Sequence, residues 1–344
     1  MKTHVPLRNR TFSFHIHMRT LLLAILFALA TAAAAIFSLG MGDLKIAPLE
    51  VLQVFWGTGS EQAALIVQEF RLPRILTAIL VGAALAVAGC VLQGLVRNPL
   101  AAPDVLGISG GASVTAVAFL LLLESVSIKW LPAAAFLGAT LVALLLYALA
   151  WKQGVTPMRL VLIGVGLKIV SGAVVTLLIT FSPFLLQSKA ILWLTGSIYG
   201  SAWKDVQMIL PWVVVLLLLA AFFARRVNVQ QLGDEIATGV GSSVERDRFF
   251  LLLICTGLTG TAVSVGGDIS FVALLAPHIA KQLIGPSFGG AMTVSAFVGA
   301  LIVLLADLVG RTAFAPMDIP VGVFTSAVGA PFFIYLLYKK RHQS

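Results

Sequence analysis

The residues able to do chemistry in this chain are few, and they stand against an apolar background. Arg71 and Arg74 bracket a Leu-Pro pair, and Asp307 stands four residues before Arg311, a spacing suited to pairing on one helix face. Lys168 interrupts an apolar run, and a polar stretch over residues 233–248 (GDEIATGVGSSVERDR) divides the hydrophobic chain in two. Such groups can pair, dock and steer charge. They do not converge into a catalytic constellation, and no GxxxxGK[ST] phosphate loop occurs, so any ATP is expected on another polypeptide. No cluster of His, Cys or carboxylates has metal-ligand spacing, and no cofactor is expected. His278 reads as structural, and Asp268 as part of an outer turn. Cys90 and Cys255 sit in apolar runs and read as small buried side chains rather than a disulfide framework.

The elements that must position these residues are membrane helices. The chain has 344 residues, 59% hydrophobic and 11% charged, where a soluble domain carries about 25% charge. A span needs about 20 apolar residues. Hydropathy predicts ten: Thr20–Leu39, Arg74–Leu95, Val105–Leu123, Trp130–Trp151, Leu160–Phe181, Val206–Phe223, Phe249–Val265, Ile269–Leu283, Met292–Val309 and Val321–Tyr338. They nearly use up the length, so the chain reads as a single transmembrane domain over residues 1–344. The basic lead before Thr20 allows a cleaved signal peptide, but the apolar run is long enough to stay as a first helix.

The net charge of +9 fits membrane topology better than nucleic acid. With the N-terminus inside, fifteen of the 23 Lys and Arg residues fall on the inner side and seven on the outer, with Lys168 within a span. That bias predicts both termini inside. Pro48–Trp56 and Ser188–Trp203 read as amphipathic outer segments. Small residues from Gly82 to Gly89 allow close helix contact or the lining of a passage. Prolines 99, 103, 277, 320 and 331 break the backbone ladder within or beside spans.

Three segments carry a resemblance. Arg71-Leu-Pro-Arg74 is followed by VGAALAVAGCVLQGLVRNPLAAPDVLGISGGAS (Val81 to Ser113). LGDEIATGVG (Leu232 to Gly241) precedes GGDISFVALLAPHIAK (Gly266 to Lys281). The last is ADLVGRTAFAPMDIPVGVFTSAVGAPFFIYLL (Ala306 to Leu337). Together they resemble the FecCD family of ABC-importer permeases for ferric siderophores, haem and cobalamin. ILWLTGSIYG (Ile191 to Gly200) is similar to the ferric citrate branch.

The resemblance implies an all-α, type II ABC importer permease fold with ten spans in a bacterial cytoplasmic membrane. It implies a second permease subunit, identical or not, two ABC ATPase subunits, an extracytoplasmic binding protein and a ferric chelate as substrate. It places ATPase coupling on Gly233, Asp234, Glu235, Ile236, Ala237, Gly239 and Gly241, within an insert over residues 232–248. There, acidic residues suit a helix start and glycines a sharp turn. It assigns Arg71, Arg74 and Arg311 to docking of the binding protein's carboxylates, which a guanidinium fork grips well. The same arginines could instead snorkel or pair locally with Glu69 or Asp307. The family pattern has a small or apolar residue where Lys168 stands. Lys168 either faces the passage and attracts an anionic chelate, or pairs inside the bundle. A rival reading, an ion-coupled secondary transporter, would use Lys168 and Asp307 as a relay.

Overall fold

The computed structural model describes residues 4–8, 13–42, 44–123, 125–152 and 154–341. The basic positions Lys2 and Arg10 lie outside them. A short antiparallel ribbon, β1 (His4–Arg8) and β2 (Ser13–His17), precedes the helices. The remaining regular structure is helical: α1 (Met18–Gly40), α2 (Pro48–Phe55), α3 (Glu61–Ala64), α4 (Leu72–Val96), α5 (Ile108–Leu122), α6 (Leu131–Ala150) and α7 (Pro157–Thr180). Then follow α8 (Phe184–Leu194), α9 (Trp203–Gln230), α10 (Asp234–Gly239), α11 (Val244–Gly266), α12 (Val272–Ile284), α13 (Phe288–Thr312) and α14 (Val321–Arg341).

Among the described residues, eight helices are long and apolar enough to cross a membrane, and α5 and α12 stand as shorter apolar helices at the third and eighth expected spans. Hydropathy placed the spans but misjudged their ends. The second extends back without a break through a π-helical stretch, Leu65–Arg71, to Glu61, so Arg71 and Arg74 lie within a helix rather than at its start. The expected amphipathic segment at Ser188–Trp203 is instead α8, ending at Leu194, and a non-helical link. Both α5 and α12 begin at left-handed residues, Gly107 and Phe271, after non-helical connections. Irregular backbone at membrane depth is tolerated only where protein or a water-filled cavity surrounds it.

Helix α4 is the hub. It packs on α13, α11, α9 and α12, and the second layer joins α5 to α6 and α7. The Gly82–Gly89 stripe serves packing. A Cβ placed at Gly82 would lie 2.3 Å from the Gly299 carbonyl oxygen, and one at Gly89 would lie 1.7 Å from that of Ala273. Small residues let helices approach this closely where lipid supplies no hydrophobic drive. Cys90 and Cys255 are buried beside this contact, and Cys255 Sγ lies 3.5 Å from the Ala88 carbonyl oxygen. By contrast α1 and α7 leave most of their apolar side chains exposed, as lipid-facing or partner-facing helices do.

Candidate functional site

The candidate residues fall in three places: an arginine cluster at one end of the bundle, the insert at the other, and a Lys–Asp pair midway along α7.

At the arginine end, α1 finishes with carbonyls that have no partner in their own helix. Arg71 donates through Nη1 to the Leu39 carbonyl at 2.6 Å and through Nη2 to that of Leu44. Arg311 donates through Nη1 to the Met41 carbonyl at 2.7 Å, and through Nη2 to both the carbonyl and the hydroxyl of Ser38. These two guanidinium groups therefore tie the end of α1 to α4 and α13.

Arg74 is held by carboxylates. Its Nε donates to Asp307 at 2.8 Å, and its two terminal nitrogens grip Asp318 at 2.6 and 2.8 Å. Asp307 has no exposed surface and lies 3.7 Å from Arg311 Nε, the expected four-residue pair. The closer partner is Arg74, 233 residues away in sequence. Asp318 belongs to no periodic segment and only the fold brings it in. All three arginines line a cleft of about 1050 Å³ with Lys189, Trp193 and Tyr199. Arg74 also stands 5.5 Å from the Tyr199 ring centroid. The local alternative foreseen for Asp307 is thus realised, and the arginines are internally bonded at the cleft wall.

The insert folds as α10 after Gly233, whose φ of 121° favours glycine. Asp234 and Glu235 occupy its first turn, as charge at a helix start predicts. Gly241 takes the expected turn conformation with φ of 85°, while Gly239 is simply the last helical residue. Asp234 does more than begin the helix. Arg248, almost fully buried, grips it at 2.8 and 2.9 Å, and Arg97 at the end of α4 pairs with it as well. Arg248 also donates to the Val155 carbonyl, and Glu245 accepts from the Val155 amide at 2.9 Å. Arg226 of α9 holds the buried Asp247. The insert is therefore bolted to α4, to α9 and to the α6–α7 connection.

Its outer surface is different in kind. Ala237 is buried, but Leu232 before the helix (65% exposed), Ile236 within it (54%) and Val240 at its C-terminal cap (69%) are exposed apolar side chains on an otherwise polar segment. Ile236 and Val240, four apart and joined by a helical backbone bond, share one face.

Midway along α7, Lys168 Nζ lies 3.9 Å from Asp104, with the two side chains 52% and 32% exposed. Asp104 comes from the α4–α5 connection, the same chain that leaves Arg97. Asp268, foreseen in a turn between short segments, lies half-buried in the α11–α12 connection. His278 makes structural contacts: its Nε2 bonds Gln282 at 2.8 Å, and its ring meets that of Phe332 at 5.6 Å.

The model of the FecCD transport family matches residues 25–339, almost the whole bundle. The chain belongs to the FecCD family. Among its relatives, the siderophore transport system permease protein YfhA of Bacillus subtilis is 51% identical over 318 residues, covering 91% of this chain and 93% of that one. The achromobactin transport system permease protein CbrC of Dickeya dadantii is 46% identical, covering 97% and 96%. A solved structure of a metal-chelate type ABC transporter in an inward-facing conformation is 27% identical. It superposes with a TM-score of 0.81 over 92% of this chain and 99% of that one. The FecCD assignment explains the helical bundle and the position of the polar insert between the sixth and seventh spans.

Proposed function

We propose that this FecCD-family chain is the permease subunit of an ABC importer for a ferric siderophore or similar iron chelate. The chain sits in the bacterial cytoplasmic membrane with both termini inside. It works beside a second permease subunit, two ABC ATPase subunits and an extracytoplasmic binding protein. It forms the passage and transmits force, and performs no covalent chemistry itself.

The observation that carries this reading is the exposed apolar pair Ile236 and Val240, with Leu232 nearby, on an insert that is otherwise polar and firmly anchored. Exposed apolar side chains in a solvated segment call for a protein partner. A short helix fits a groove by burying such side chains. Motion of that partner would pass through Asp234 to Arg97 and Arg248, and so to α4, α11 and the connection that carries Asp104. At the opposite end, Arg71, Arg74 and Arg311 wall the cleft that would receive the loaded binding protein. Lys168 lines the passage, because an exposed ion pair halfway along a span is costly against lipid.

The test is uptake by the complete transporter in vesicles carrying internal ATP. Ferric chelate accumulates when a protonophore has collapsed the proton gradient, and accumulation stops when ATP is withheld. The opposite pattern supports the ion-coupled reading. Replacing Ile236→Asp together with Val240→Asp is expected to abolish co-purification of the ATPase and cut uptake at least tenfold, with the permease still folded. Retention of the ATPase by this variant would remove the coupling assignment.

A further inference from the structure

The attachments of the insert differ in what they hold. Arg97 and Arg226 tie it to α4 and α9. Helix α4 is locked in turn, because its glycine stripe lies against the backbones of α12 and α13. The remaining attachment is to Val155, and it leads to α7, a helix in which only Leu160, Gly164 and Ser171 are buried. Closely packed helices shift as units or not at all. Force entering at Asp234 reaches both sides, and the displacement goes to the side with fewer contacts to break.

Val155 is gripped at both of its backbone polar atoms. Its amide donates to Glu245 Oε2 at 2.9 Å, and its carbonyl accepts from Arg248 Nη1. The same guanidinium holds both oxygens of Asp234 through Nη2. Val155 and Arg248 are 1% and 3% exposed, so little water competes for the Val155 end of these bonds. On the far side the connection is stiff. Trp151 and Val155 form an antiparallel bridge, and Arg159 in the first turn of α7 donates through Nη1 to the carbonyls of Ala150, Lys152 and Gly154 at 3.2, 3.0 and 3.2 Å. A displacement of Val155 therefore enters α7, which runs about 36 Å without an internal proline. Gly154 leaves room for the grip: its φ is 108°, and a Cβ there would lie 2.9 Å from Glu245 Oε1.

We propose that Glu245 is a positioning residue for transport: it passes movement of the insert to α7 through the Val155 amide, while α4 stays fixed and Gly154 keeps the carboxylate within reach. This rests on the importer reading above and names the route of force inside it.

The probes are the ferric complexes of citrate, a trihydroxamate and a tricatecholate, offered to the complete transporter in ATP-loaded vesicles. The readout is chelate taken up per ATP hydrolysed, which does not depend on how much transporter is recovered. Glu245→Ala is expected to lower this ratio about tenfold, the scale of one hydrogen bond to a charged group, while the ATPase subunits stay bound and keep hydrolysing ATP. Glu245→Gln loses the same charge but keeps an oxygen for the Val155 amide, and is expected to stay near wild type. Gly154→Ala is expected to lower the ratio by crowding Glu245. Combined with Glu245→Ala it should add little, because the side chain it crowds is then gone. An unchanged ratio in Glu245→Ala overturns the proposal, as does an equal fall in Glu245→Gln. Loss of the ATPase subunits from Glu245→Ala overturns it too, since the contact would then only shape the docking face. Each of these leaves the importer reading intact. Wild-type vesicles that accumulate none of the complexes with ATP, or any of them without it, overturn the importer reading and this inference with it.

Discussion

Charge reversal at Arg74 is expected to destroy the fold before it reports on docking. Arg74 is the shared partner of Asp307, which has no exposed surface, and of Asp318. Arg74→Glu would set three carboxylates against one another at that point. Removing one partner of a buried charge pair costs about 3–5 kcal/mol, because the other charge is left uncompensated. Adding Arg311→Glu would withdraw the second cation near Asp307 and free the Ser38 and Met41 carbonyls at the end of α1. The expected result is little or no folded, membrane-inserted permease, measured by size-exclusion chromatography in detergent. Normal yield and a normal elution profile would contradict the network drawn here.

A balanced replacement isolates the docking role. Arg74→Gln with Asp318→Asn removes one positive and one negative charge together, and Asp307 keeps Arg311 at 3.7 Å. That variant is expected to fold and to bind the binding protein about tenfold more weakly, the usual scale for loss of a good charged contact. Undiminished capture in a pull-down would show that these guanidinium groups serve only the permease's own architecture.

The second large effect lies in the packing of α4. Gly89→Val is expected to eliminate most of the folded protein. Its Cβ would lie 1.7 Å from the Ala273 carbonyl oxygen and 2.5 Å from the carbonyl carbon, both backbone atoms that cannot rotate away. Overpacking a core costs about 1–3 kcal/mol when side chains can adjust; here α12 would have to shift bodily from α4. Gly289→Ala in α13 is the control, since its nearest neighbour would be the Ala224 Cβ at 3.6 Å, an ordinary contact. Thermal unfolding of the purified complex should show the control near wild type and no cooperative transition for Gly89→Val. A wild-type transition for Gly89→Val would mean that α4 and α12 do not approach so closely.

Much of this protein was legible before folding. Membrane helices are written locally: a run of apolar residues of sufficient length can do little else in lipid, so the spans and the insert followed from hydropathy alone. The acidic start of α10 and the turn at Gly241 were equally local, because capping charge and positive φ act within a few residues. The pair Asp307–Arg311 was readable from its spacing.

What the linear chain left open depends on contacts between distant segments. Nothing in the neighbourhood of Arg74 points to Asp318, 244 residues away, and nothing near Asp234 points to Arg97. Hydropathy also could not tell that α5 and α12 start late, because Val105, Leu106, Ile269 and Phe271 just before them are apolar. Lys168 is the clearest case. By sequence it is a lone cation in a span, with its sign as its only property. Its electrostatic surroundings were decided when Asp104 arrived from the α4–α5 connection, since a charge acts through its neighbours and only the tertiary fold supplies those.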